Sequence, residues 1–500
     1  MESPDPTPSP LDRLTLRGEP RAPALLTREG ALDYAGLEAA VGALAAGLKG
    51  RGLAPCARVA SWLPKGRMTA LLPLACARAG LIHVPVNALL KRMQVAHILS
   101  DSGAALFLTG RARLTTLEPG DVPSGCAVLD EADGDALFGA DRLPPSSHDP
   151  DALAALLYTS GSTGRPKGVM LSHANLWLGA VSVAHYLRLE PTDRVLAVLP
   201  FAFDYGQNQL LSTWAVGGCV VPLEFLAARD VIRAVERYEI STLAGVPPLW
   251  VQLIEAAWPA RAALSLRRLT NSGGKLAPSV ARRMREVFPA ADIYSMYGLT
   301  EAFRSTYLEP ERLDEHPDSI GKAIPFAEII IVDRDGNPAD EGELVHAGPL
   351  VAHGYWNNPE RTAERFRPAP EHSCYGGTAV WSGDRVRRDA DGLLYFIGRE
   401  DGMIKTAGNR VSPTEVEEAA IASGLVHEAV ALGYPDDRLG EAIALIVRPD
   451  RHEREGELRA FLKRQLPNFM QPGAILWRDE LPRSPNGKLD RVELRQELAA

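Results

Sequence analysis

Apolar residues follow two different periodicities along the first hundred residues of the chain. Helical spacing predicts helices over Leu37–Leu48, Ala70–Ala79 and Val95–Leu99. Short unbroken apolar runs between them predict strands over Val59–Leu63, His83–Val86 and Ala105–Thr109. Because strands and helices take turns in this way in βαβ units, we expect a mostly parallel sheet covered by helices.

The same alternation continues beyond Gly120–Pro150, a Gly-, Pro- and Asp-rich stretch that we predict to be an irregular connection. A buried strand is predicted over Leu153–Leu157, and a helix from Ser172 to Tyr186. Further apolar runs predict strands at Val195–Leu199, Cys219–Pro222, Thr242–Val246 and Arg268–Asn271. These elements predict a second α/β layer of similar build.

The pattern of apolar and polar residues changes in the last third of the chain. Short β runs such as Glu328–Val332 and Gly342–His346, separated by Gly and Asp, predict a β-rich subdomain between Ile320 and Ile397. The sequence therefore predicts an α/β fold with a large N-terminal domain, residues 1–400, made of two α/β layers plus this β-rich subdomain. Residues 401–500 are predicted to form a small α+β C-terminal domain.

Several elements are predicted within those last hundred residues. Ser412, Pro413 and Glu415 predict a capping box with proline at the first helical position. The helix that they open is predicted over Thr414–Ala422. Two strands and a second helix follow, at Ala429–Tyr434, Ala442–Arg448 and Glu457–Leu466.

Composition and charge exclude several classes of function. The chain has 500 residues, of which 46% are hydrophobic and 23% charged, as is typical of a globular protein with more than one domain. Its formal net charge of -9 and the lack of a Lys/Arg block argue against a nucleic-acid partner. The longest apolar region, Thr69–Leu90, is interrupted by Arg78, Gly80, His83 and Pro85, so it does not predict a membrane span.

The cysteines and the start of the chain bear on the compartment. The 5 cysteines are dispersed, without a C-x-x-C or metal-ligand spacing, which favours a reducing environment. The acidic, proline-rich start lacks the basic residues and apolar core of a signal peptide. We therefore expect a cytoplasmic protein that has no membrane contact.

The stretch Tyr158–Gly168, which reads Tyr-Thr-Ser-Gly-Ser-Thr-Gly-Arg-Pro-Lys-Gly, is a candidate phosphate-binding loop. It lies between the predicted strand that ends at Leu157 and the predicted helix that begins at Ser172. Many backbone N–H groups and hydroxyls in such a loop are suited to hold a polyphosphate. Its spacing does not match the common P-loop. A flexible Gly/Ser connector is the alternative, which the Pro166–Lys167 pair and the flanking elements disfavour.

Further stretches carry residues suited to nucleotide chemistry. They are Ser295–Glu301, Trp381–Asp384, Gly398–Gly408 and Ser484–Asp490. Each is weak by itself, since Glu301 could cap a helix and Lys488 could be a solvated surface lysine.

Together and in this order, these stretches resemble the family of AMP-forming adenylating enzymes, which comprises acyl-CoA synthetases, peptide-synthetase adenylation domains and firefly-type luciferases. The resemblance extends from about Leu26 to Leu494. It implies an enzyme that joins a carboxylate to AMP and then transfers the acyl group to a thiol, with ATP and Mg²⁺ as cofactors. In-line attack at the α-phosphorus requires positioning and charge neutralisation more than acid–base catalysis.

The resemblance also implies roles for individual residues. The β- and γ-phosphates would be held by Thr159, Ser160, Gly161, Ser162, Thr163, Gly164 and Lys167. Catalytic roles are implied for Thr300 at the α-phosphate, Glu301 as the Mg²⁺ ligand, and Lys488 between the substrate carboxylate and the α-phosphate. The nucleoside would be bound by Asp384 and Arg399 at the ribose and by Gly273, Gly274 and Tyr297 at the adenine.

Members of this family use two arrangements of a mobile C-terminal domain, one for adenylation and one for thioester formation. Asp401 matches the hinge position, and Gly408 matches the glycine beside the pantetheine tunnel. Because one cleft cannot present both Lys488 and a thiol channel at the same face, rotation of a domain about a few backbone torsions is a physical solution.

The substrate is suggested by the segment Leu199–Gly206. Its Phe203–Asp204 pair matches the Phe-Asp of amino-acid-activating domains, whose aspartate binds the substrate ammonium. By the same resemblance, Ser272 would assist Asp204, and Arg304 could bind a second carboxylate. This combination suggests aspartate or a methylated aspartate such as 3-methylaspartate. The pattern resembles standalone enzymes that load β-amino acids onto carrier proteins.

Other interpretations of the same residues stay open. Arg304 could pair with Glu301 if their segment is helical, or with Asp204, which would leave a neutral pocket for a plain acyl group. Asp204 could also bind backbone groups only. The region Tyr297–Pro325 further resembles acyl ligases found near exosortase-A systems, usually described as acyl-CoA ligases.

The leading hypothesis is therefore an amino-acid adenylation enzyme that acylates the phosphopantetheine thiol of a separate acyl carrier protein, since no carrier motif is visible in the chain. An acyl-CoA ligase for a small carboxylic acid is the alternative. A nucleotide-binding regulator without turnover is disfavoured by the joint presence of Glu301, Asp384 and Lys488.

Overall fold

The structure is a computed structural model that describes residues 3–159, 166–274, 276–399, 402–450, 452, 454–482 and 491–499. The first part of the chain contains strands β1 (Pro23–Thr27), β2 (Gly30–Asp33), β3 (Arg58–Trp62), β4 (Ile82–Pro85), β5 (Ala104–Thr109), β6 (Ala127–Asp130), β7 (Leu153–Thr159) and β8 (Lys167–Ser172). Its helices are α1 (Tyr34–Gly50), α2 (Arg67–Arg78), α3 (Arg92–Ser102) and α4 (Arg111–Leu114), with 3-10 helices at Leu11–Leu16 and Glu131–Leu137.

Strands β3 to β8 form the first sheet, in the order β6-β5-β3-β4-β7-β8. Its strands are parallel except for β7 and β8, which are antiparallel neighbours. The predicted first α/β layer is thus confirmed. The stretch Gly120–Pro150 is not wholly irregular, because β6 lies within it and extends the sheet beside β5.

The prediction that Tyr158–Gly168 connects a strand directly to a helix is wrong. Strand β8 intervenes, so the described ends of the loop belong to a β-hairpin, and the helix begins only at His173. The sequence pattern concealed β8 because its pairing with β7 depends on a partner strand rather than on local periodicity.

The middle of the chain alternates strands and helices and then becomes all β. Its helices are α5 (His173–Tyr186), α6 (Asp204–Ala215), α7 (Ala228–Tyr238), α8 (Pro247–Ile254), α9 (Ala260–Ser265), α10 (Pro278–Val287) and α11 (Pro359–Arg365), with 3-10 helices at Thr300–Ala302 and Pro310–Arg312. Its strands are β9 (Arg194–Ala197), β10 (Cys219–Pro222), β11 (Thr242–Gly245), β12 (Arg268–Asn271), β13 (Asp292–Tyr297), β14 (Thr306–Leu308), β15 (Ser319–Ala323), β16 (Glu328–Val332), β17 (Glu341–Ala347), β18 (Phe366–Pro368), β19 (Thr378–Arg388) and β20 (Leu394–Arg399).

These strands share one sheet, in the order β16-β17-β19-β20-β15-β14-β13-β12-β11-β9-β10-β1-β2, with β18 beside β19. Its half from β13 to β1 is parallel, and the half from β14 to β16 is antiparallel. The predicted second layer and β-rich subdomain are therefore continuous. Strand β1, from the start of the chain, pairs in parallel with β10 in this second sheet.

The C-terminal part of the chain has its own sheet and its own apolar core. It contains β21 (Ile404–Thr406), β22 (Asn409–Val411), α12 (Pro413–Ile421), β23 (Val426–Asp436), β24 (Gly440–Pro449), α13 (Glu455–Gln465), β25 (Ala474–Trp477) and α14 (Arg491–Ala499), with a 3-10 helix at Asn468–Met470. The strand order is β22-β21-β24-β23, with β25 parallel to β24. Buried residues such as Val416, Leu445 and Leu458 form the core. The boundary between residues 400 and 401 stays a prediction, and the proposed hinge residue Asp401 lies outside the described residues.

Helix α12 begins at Pro413 as predicted, but the predicted capping box is wrong. The Ser412 side chain makes no cap hydrogen bond. Glu415 instead turns towards α3, where its Oε1 accepts a hydrogen bond from the Gln94 side chain at 3.0 Å. A residue that the sequence assigns to local helix capping therefore joins the C-terminal part to the first α/β layer.

Across the described ranges, no helix combines the length and the apolar character that crossing a bilayer would require.

Candidate active site

A cleft of about 1260 Å³ lies where the two sheets and the C-terminal part meet. It is lined by described residues that the sequence singled out, namely Thr159, Asp204, Ser272, Gly273, Tyr297, Thr300, Glu301, Arg304, Asp384 and Gly408. These residues come from loops after β7, β9, β12 and β13, from β19, and from the β21–β22 hairpin. The fold thus brings to one place the dispersed stretches that the sequence associates with nucleotide and substrate.

The ends of the candidate phosphate loop are fixed to helix α3. Thr159 and Lys167 are paired across β7 and β8. Tyr158 donates a hydrogen bond to Asp101 at 2.6 Å, and the ring of His97 contacts the carbonyl of Pro166 at 2.7 Å. The predicted loop residues Ser160, Gly161, Ser162, Thr163 and Gly164 lie outside the described residues.

Glu301 is the centre of a cluster of cations. The Tyr355 hydroxyl donates to its Oε1 at 2.7 Å, Lys167 Nζ lies 3.4 Å from the same oxygen, and Arg410 Nη1 lies 4.0 Å from it. Lys167 also donates to Tyr355 at 2.5 Å. Burial alone would raise the pKa of Glu301, but Lys167, Arg410 and Arg365 outweigh burial and lower it well below its usual value. Glu301 is therefore a permanently ionised carboxylate.

Lys167 experiences the opposite balance. Burial lowers its pKa to about 8, although the attraction of Glu301 opposes that shift. The lysine therefore still carries its charge at neutral pH and is close to losing it in mildly alkaline solution.

The candidate nucleoside site lies on β19 and β20. Asp384 is fully buried, and the Tyr297 hydroxyl donates a hydrogen bond to its Oδ2. Asp384 pairs with Arg399 across the two strands, and only the backbone of Arg399 is described. Lys405 of β21 lies over the ring of Tyr297, 5.7 Å from its centroid.

Two glycines permit the close approach of the C-terminal hairpin. Gly273 follows β12 with φ +78°, and a Cβ at this position would lie 3.2 Å from the carbonyl oxygen of Gly408. Gly408 has φ +75°, and a Cβ there would lie 2.6 Å from a methyl carbon of Val246. Larger residues would separate the hairpin from the wall of the cleft. Gly274, the second predicted adenine-site glycine, follows directly and accepts from Asn271 at its carbonyl.

The candidate substrate pocket contains an ion pair. Arg304 Nη1 lies 3.3 Å from Asp204 Oδ2, and the Thr300 hydroxyl lies 3.4 Å from Asp204 Oδ1. The guanidinium also lies over the Tyr205 ring, 4.4 Å from its centroid. Burial raises the pKa of Asp204, and Arg304 opposes that rise. Of the interpretations left open by the sequence, Arg304 pairs with Asp204 and not with Glu301.

A small chamber lies behind this ion pair. Its lining includes Tyr205, Asn208, Gln209, Thr242, Thr270, Met296 and Arg304. Several buried polar atoms have no hydrogen-bond partner among the described residues: both amide atoms of Asn208, Gln209 Nε2, Thr242 Oγ1 and Arg304 Nη2. Buried polar groups are almost always satisfied, so these atoms indicate space for a polar ligand or for water.

A second cavity meets the cleft beside the hairpin. The two share Pro85, Asn87, Ala202, Phe203, Val246, Gly408 and Asn409. The cavity continues past Lys65, whose ammonium donates to the carbonyls that end β9 and whose pKa is lowered to about 7 by burial. It reaches Arg28 and Arg113 and the exposed side chains of Leu89 and Leu226. The cleft is therefore accessible by a second route.

Some predicted residues cannot be placed and some contributing residues were missed. Lys488 lies outside the described residues. The sequence did not single out Tyr355 or Arg410, which contact Glu301, or Gln94, which contacts Glu415. The only local signals were the aromatic pair after Gly354 and the position of Arg410 two residues after Gly408.

Comparison with known proteins decides the family. The family model described as AMP-binding enzyme matches residues 13–356, and the model of the AMP-binding enzyme C-terminal domain matches residues 415–488. The chain belongs to the AMP-binding enzyme family. It is therefore an ATP-dependent, AMP-forming ligase that joins a carboxylate to a thiol through an adenylate.

The relatives of this AMP-binding enzyme include both acyl-CoA synthetases and adenylation domains. It is 32% identical to feruloyl-CoA synthase of an Amycolatopsis species over 495 residues, with 96% of each chain covered. It is 31% identical to tyrocidine synthase 2 of Brevibacillus parabrevis over 482 residues, which covers 95% of this chain and 13% of that protein.

Among solved structures, o-succinylbenzoate CoA synthetase from Bacillus subtilis matches in two states, each at 26% identity. A double mutant bound with the product analogue OSB-NCoA superposes with a TM-score of 0.85, covering 98% of both chains. The complex with the acyl-adenylate OSB-AMP superposes with a TM-score of 0.71, also covering 98% of both chains.

Proposed function

We propose that this AMP-forming ligase activates an amino dicarboxylic acid, such as aspartate or 3-methylaspartate, and transfers it to the phosphopantetheine thiol of a separate acyl carrier protein. The observation that carries the substrate part of the proposal is the buried Nη2 of Arg304, which has no partner among the described residues although Nη1 pairs with Asp204. The closed pair by itself would suit a plain acyl group, so the proposal requires the ligand to take one contact from each partner.

The opposite charges of Asp204 and Arg304 restrict the ligand that can bind between them. An aspartate and an arginine together are neutral, so the part of the ligand that binds them should also be neutral overall. An ammonium group and a carboxylate on one substrate meet this condition, with the ammonium at Asp204 and the carboxylate at Arg304. The second carboxylate of such a substrate remains for activation.

The unsatisfied polar atoms support the same substrate class. Arg304 Nη2 has no partner among the described residues, so it can donate a hydrogen bond to a carboxylate oxygen without losing an existing one. Ser272 lies in the same wall and is 2% exposed. A wholly apolar acyl chain would bury these groups against hydrocarbon, which is unfavourable.

The nucleotide roles belong to the same proposal. Thr159 Oγ1 is buried without a partner among the described residues, as expected of a group that awaits a phosphate. Thr300 and Lys167 would complete the contacts to the phosphates, Asp384 would accept the ribose hydroxyls, and Lys488 would neutralise charge at the α-phosphate.

The donor chemistry around Glu301 fits Mg²⁺. The described residues contain no group of three or more His, Cys, Asp or Glu side chains that could hold a metal alone. Mg²⁺ usually binds one or two protein carboxylates together with substrate phosphates, so a single Glu301 beside a triphosphate is sufficient. Bound there, the ion would neutralise phosphate charge.

The thiol would enter through the second cavity, past Gly408. The C-terminal hairpin lies in the cleft in this structure, and the better superposition on the product-analogue complex than on the adenylate complex supports an arrangement for thioester formation. We propose that residues 401–500 rotate as a unit about Asp401 between the two half-reactions.

An acyl-CoA ligase for a small carboxylic acid is the second candidate. It is favoured by the extent of the match to feruloyl-CoA synthase and by Arg28 and Arg113 along the second cavity, which could bind the phosphates of CoA.

The proposal is tested by ATP–pyrophosphate exchange across aspartate, 3-methylaspartate, neutral amino acids and simple acids. We expect the amino dicarboxylic acids to be preferred. Asp204→Asn should reduce the preference for substrates that carry an amine by roughly 10- to 100-fold. Asp230→Asn, which alters an exposed helix-capping aspartate, is the matched control. Equal activity with amine-free acids, or unchanged selectivity in Asp204→Asn, would contradict the substrate assignment.

The acceptor is tested separately. Acyl transfer from the preformed adenylate is compared with a phosphopantetheinylated carrier protein and with free CoA. Faster transfer to the carrier is expected, and faster transfer to CoA would favour the second candidate.

A further inference from the structure

Arg410 is a residue of the C-terminal part that reaches Glu301. It lies on β22, and its guanidinium is 4.0 Å from Glu301 Oε1. That oxygen already receives the Tyr355 hydroxyl, and Lys167 lies 3.4 Å from it. Arg410 therefore adds a second positive charge to a carboxylate that has a lysine beside it.

The contact depends on the position of the β21–β22 hairpin. Gly408, two residues before Arg410, packs so closely on Val246 that a Cβ there would lie 2.6 Å from a valine methyl carbon. The Arg410 side chain is 20% exposed, whereas the Glu301 side chain is 2% exposed. Arg410 can therefore reach Glu301 only when the hairpin is seated in the cleft.

The charges at Glu301 cannot be the same in both half-reactions. Under the proposed function, Glu301 holds Mg²⁺ beside the triphosphate during adenylation. The Arg410 guanidinium lies 4.0 Å from Glu301 Oε1. A Mg²⁺ ion bound to the same oxygen would therefore repel it strongly, because the site is partly buried. Once pyrophosphate and its metal have left, Arg410 can approach the carboxylate beside Lys167 without this repulsion.

We infer that Arg410 is a positioning residue that takes the place of Mg²⁺ at Glu301 when the hairpin seats for thioester formation. The metal and Arg410 exclude each other, so metal bound with ATP or pyrophosphate keeps the hairpin out of the cleft. Departure of the metal with pyrophosphate admits Arg410 and opens the second half-reaction. This inference rests on the proposed role of Glu301 as the Mg²⁺ ligand.

Linkage makes the inference measurable without turnover. If two ligands exclude each other at one site, removing one strengthens the binding of the other. Arg410→Ala should therefore tighten the binding of Mn²⁺, a paramagnetic substitute for Mg²⁺, to the full-length protein with α,β-methylene-ATP. We expect roughly a fivefold change or more, the low end of common coupling between sites.

Hydrogen exchange of the hairpin amides in residues 404–411 provides the second readout. In the wild-type protein, Mg²⁺ with pyrophosphate should increase their exchange, because the metal displaces Arg410. In Arg410→Ala the exchange should be higher without metal and should respond less to it. Arg410→Lys, which keeps a positive charge, should restore part of the response.

Arg365→Ala is the matched control. Arg365 also lowers the pKa of Glu301, but it belongs to α11 and does not move with the hairpin. Its loss should affect metal affinity without abolishing the response of the hairpin to Mg²⁺.

Two failures can be told apart. If Glu301→Gln binds Mn²⁺ with the nucleotide as tightly as the wild-type protein, the proposed metal role of Glu301 is wrong, and the inference fails with it. If Glu301→Gln loses the metal but Arg410→Ala changes neither Mn²⁺ affinity nor the response of the hairpin, only the inference is overturned.

Discussion

Glu301 and Asp204 are two buried carboxylates in one cleft, and they are treated very differently by their neighbours. Glu301 faces Lys167, Arg410 and Arg365 and accepts a hydrogen bond from Tyr355, so its pKa is lowered despite burial. Among the described residues, Asp204 has a single cation, Arg304, and burial raises its pKa.

The difference separates a fixed charge from an exchangeable one. A carboxylate with several cations remains ionised whatever binds beside it, which suits a permanent role towards metal and phosphate. A carboxylate with one cation can exchange that partner for a ligand group of the same charge. The difference therefore supports the proposed roles, in which Glu301 serves the cofactor and Asp204 serves the substrate.

The largest effect is expected when the negative charge of Glu301 is removed. Glu301→Gln should lower the rate of ATP–pyrophosphate exchange by roughly 10²- to 10³-fold, a loss typical of one group aimed at developing charge. Glu341→Gln, at an exposed carboxylate that pairs with Arg385, is the control and should behave as wild type. A loss smaller than tenfold would mean that the cations serve stability alone.

The two sites should also differ in how much the arginine beside each carboxylate contributes to the free energy of unfolding. Arg304→Met leaves Asp204 buried without its cation and should lower the free energy of unfolding by about 3–5 kcal/mol, as is usual when one partner of a buried pair is removed. Arg410→Met should cost about 1 kcal/mol or less, because Arg410 is partly exposed and Lys167 remains beside Glu301.

Denaturant unfolding followed by tryptophan fluorescence measures both losses. Adding Asp204→Asn to Arg304→Met should recover much of the first loss, because no unpaired charge then remains. Equal stability of the single and double variants would contradict the view that Asp204 depends on Arg304.

A third buried carboxylate, Glu415, differs from both, because no described residue places a cation beside it. Its partner is the neutral amide of Gln94, and burial raises its pKa to about 7. The protonated form therefore fits the seated arrangement better than the ionised form does. Seating should be most favourable below the ordinary glutamate pKa of 4.5, should weaken as pH rises towards 7, and should change little above it.

We expect the equilibrium constant for seating to fall by up to roughly 300-fold across this range, the factor that corresponds to a pKa difference of about 2.5 between the two arrangements. Hydrogen exchange of residues 404–411, compared at each pH with that of Glu415→Gln, measures the effect because intrinsic exchange rates cancel. Glu457→Gln, at an exposed position on α13, is the control. A pH response that survives in Glu415→Gln would assign it to another group.

Much of the fold could be predicted because its central strands are continuous apolar runs. Strands β10, β12 and β16 have the predicted bounds; β10 and β16 contain continuous apolar runs, whereas β12 begins with Arg268 and ends with Asn271. Strand β8 was missed because its apolar run, Val169–Leu171, is short and lies directly before the helical pattern, so its identity as a strand depends on pairing with β7. Contacts made through tertiary structure leave no local period to detect.

The candidate site divides in the same way. Glu301, Asp384 and Asp204 belong to short motifs with glycine or aromatic neighbours, so residue type and spacing identified them. Tyr355 and Arg410 matter because folding carries them to Glu301 from distant parts of the chain. Glu415 was assigned to a capping box, since no local pattern reveals a partner such as Gln94, which is 321 residues away.

The pairing of strand β1 has a consequence for folding during synthesis. Leu25 pairs with Val220, so β1 is synthesised about 195 residues before its parallel neighbour. At about 5–20 residues per second, the nascent strand waits roughly 10–40 s before that partner exists. During this interval its apolar residues Ala24 and Leu25, which are buried on the two faces of the folded sheet, are exposed to other chains and to chaperones. The second sheet is therefore completed late, by a strand that was made early.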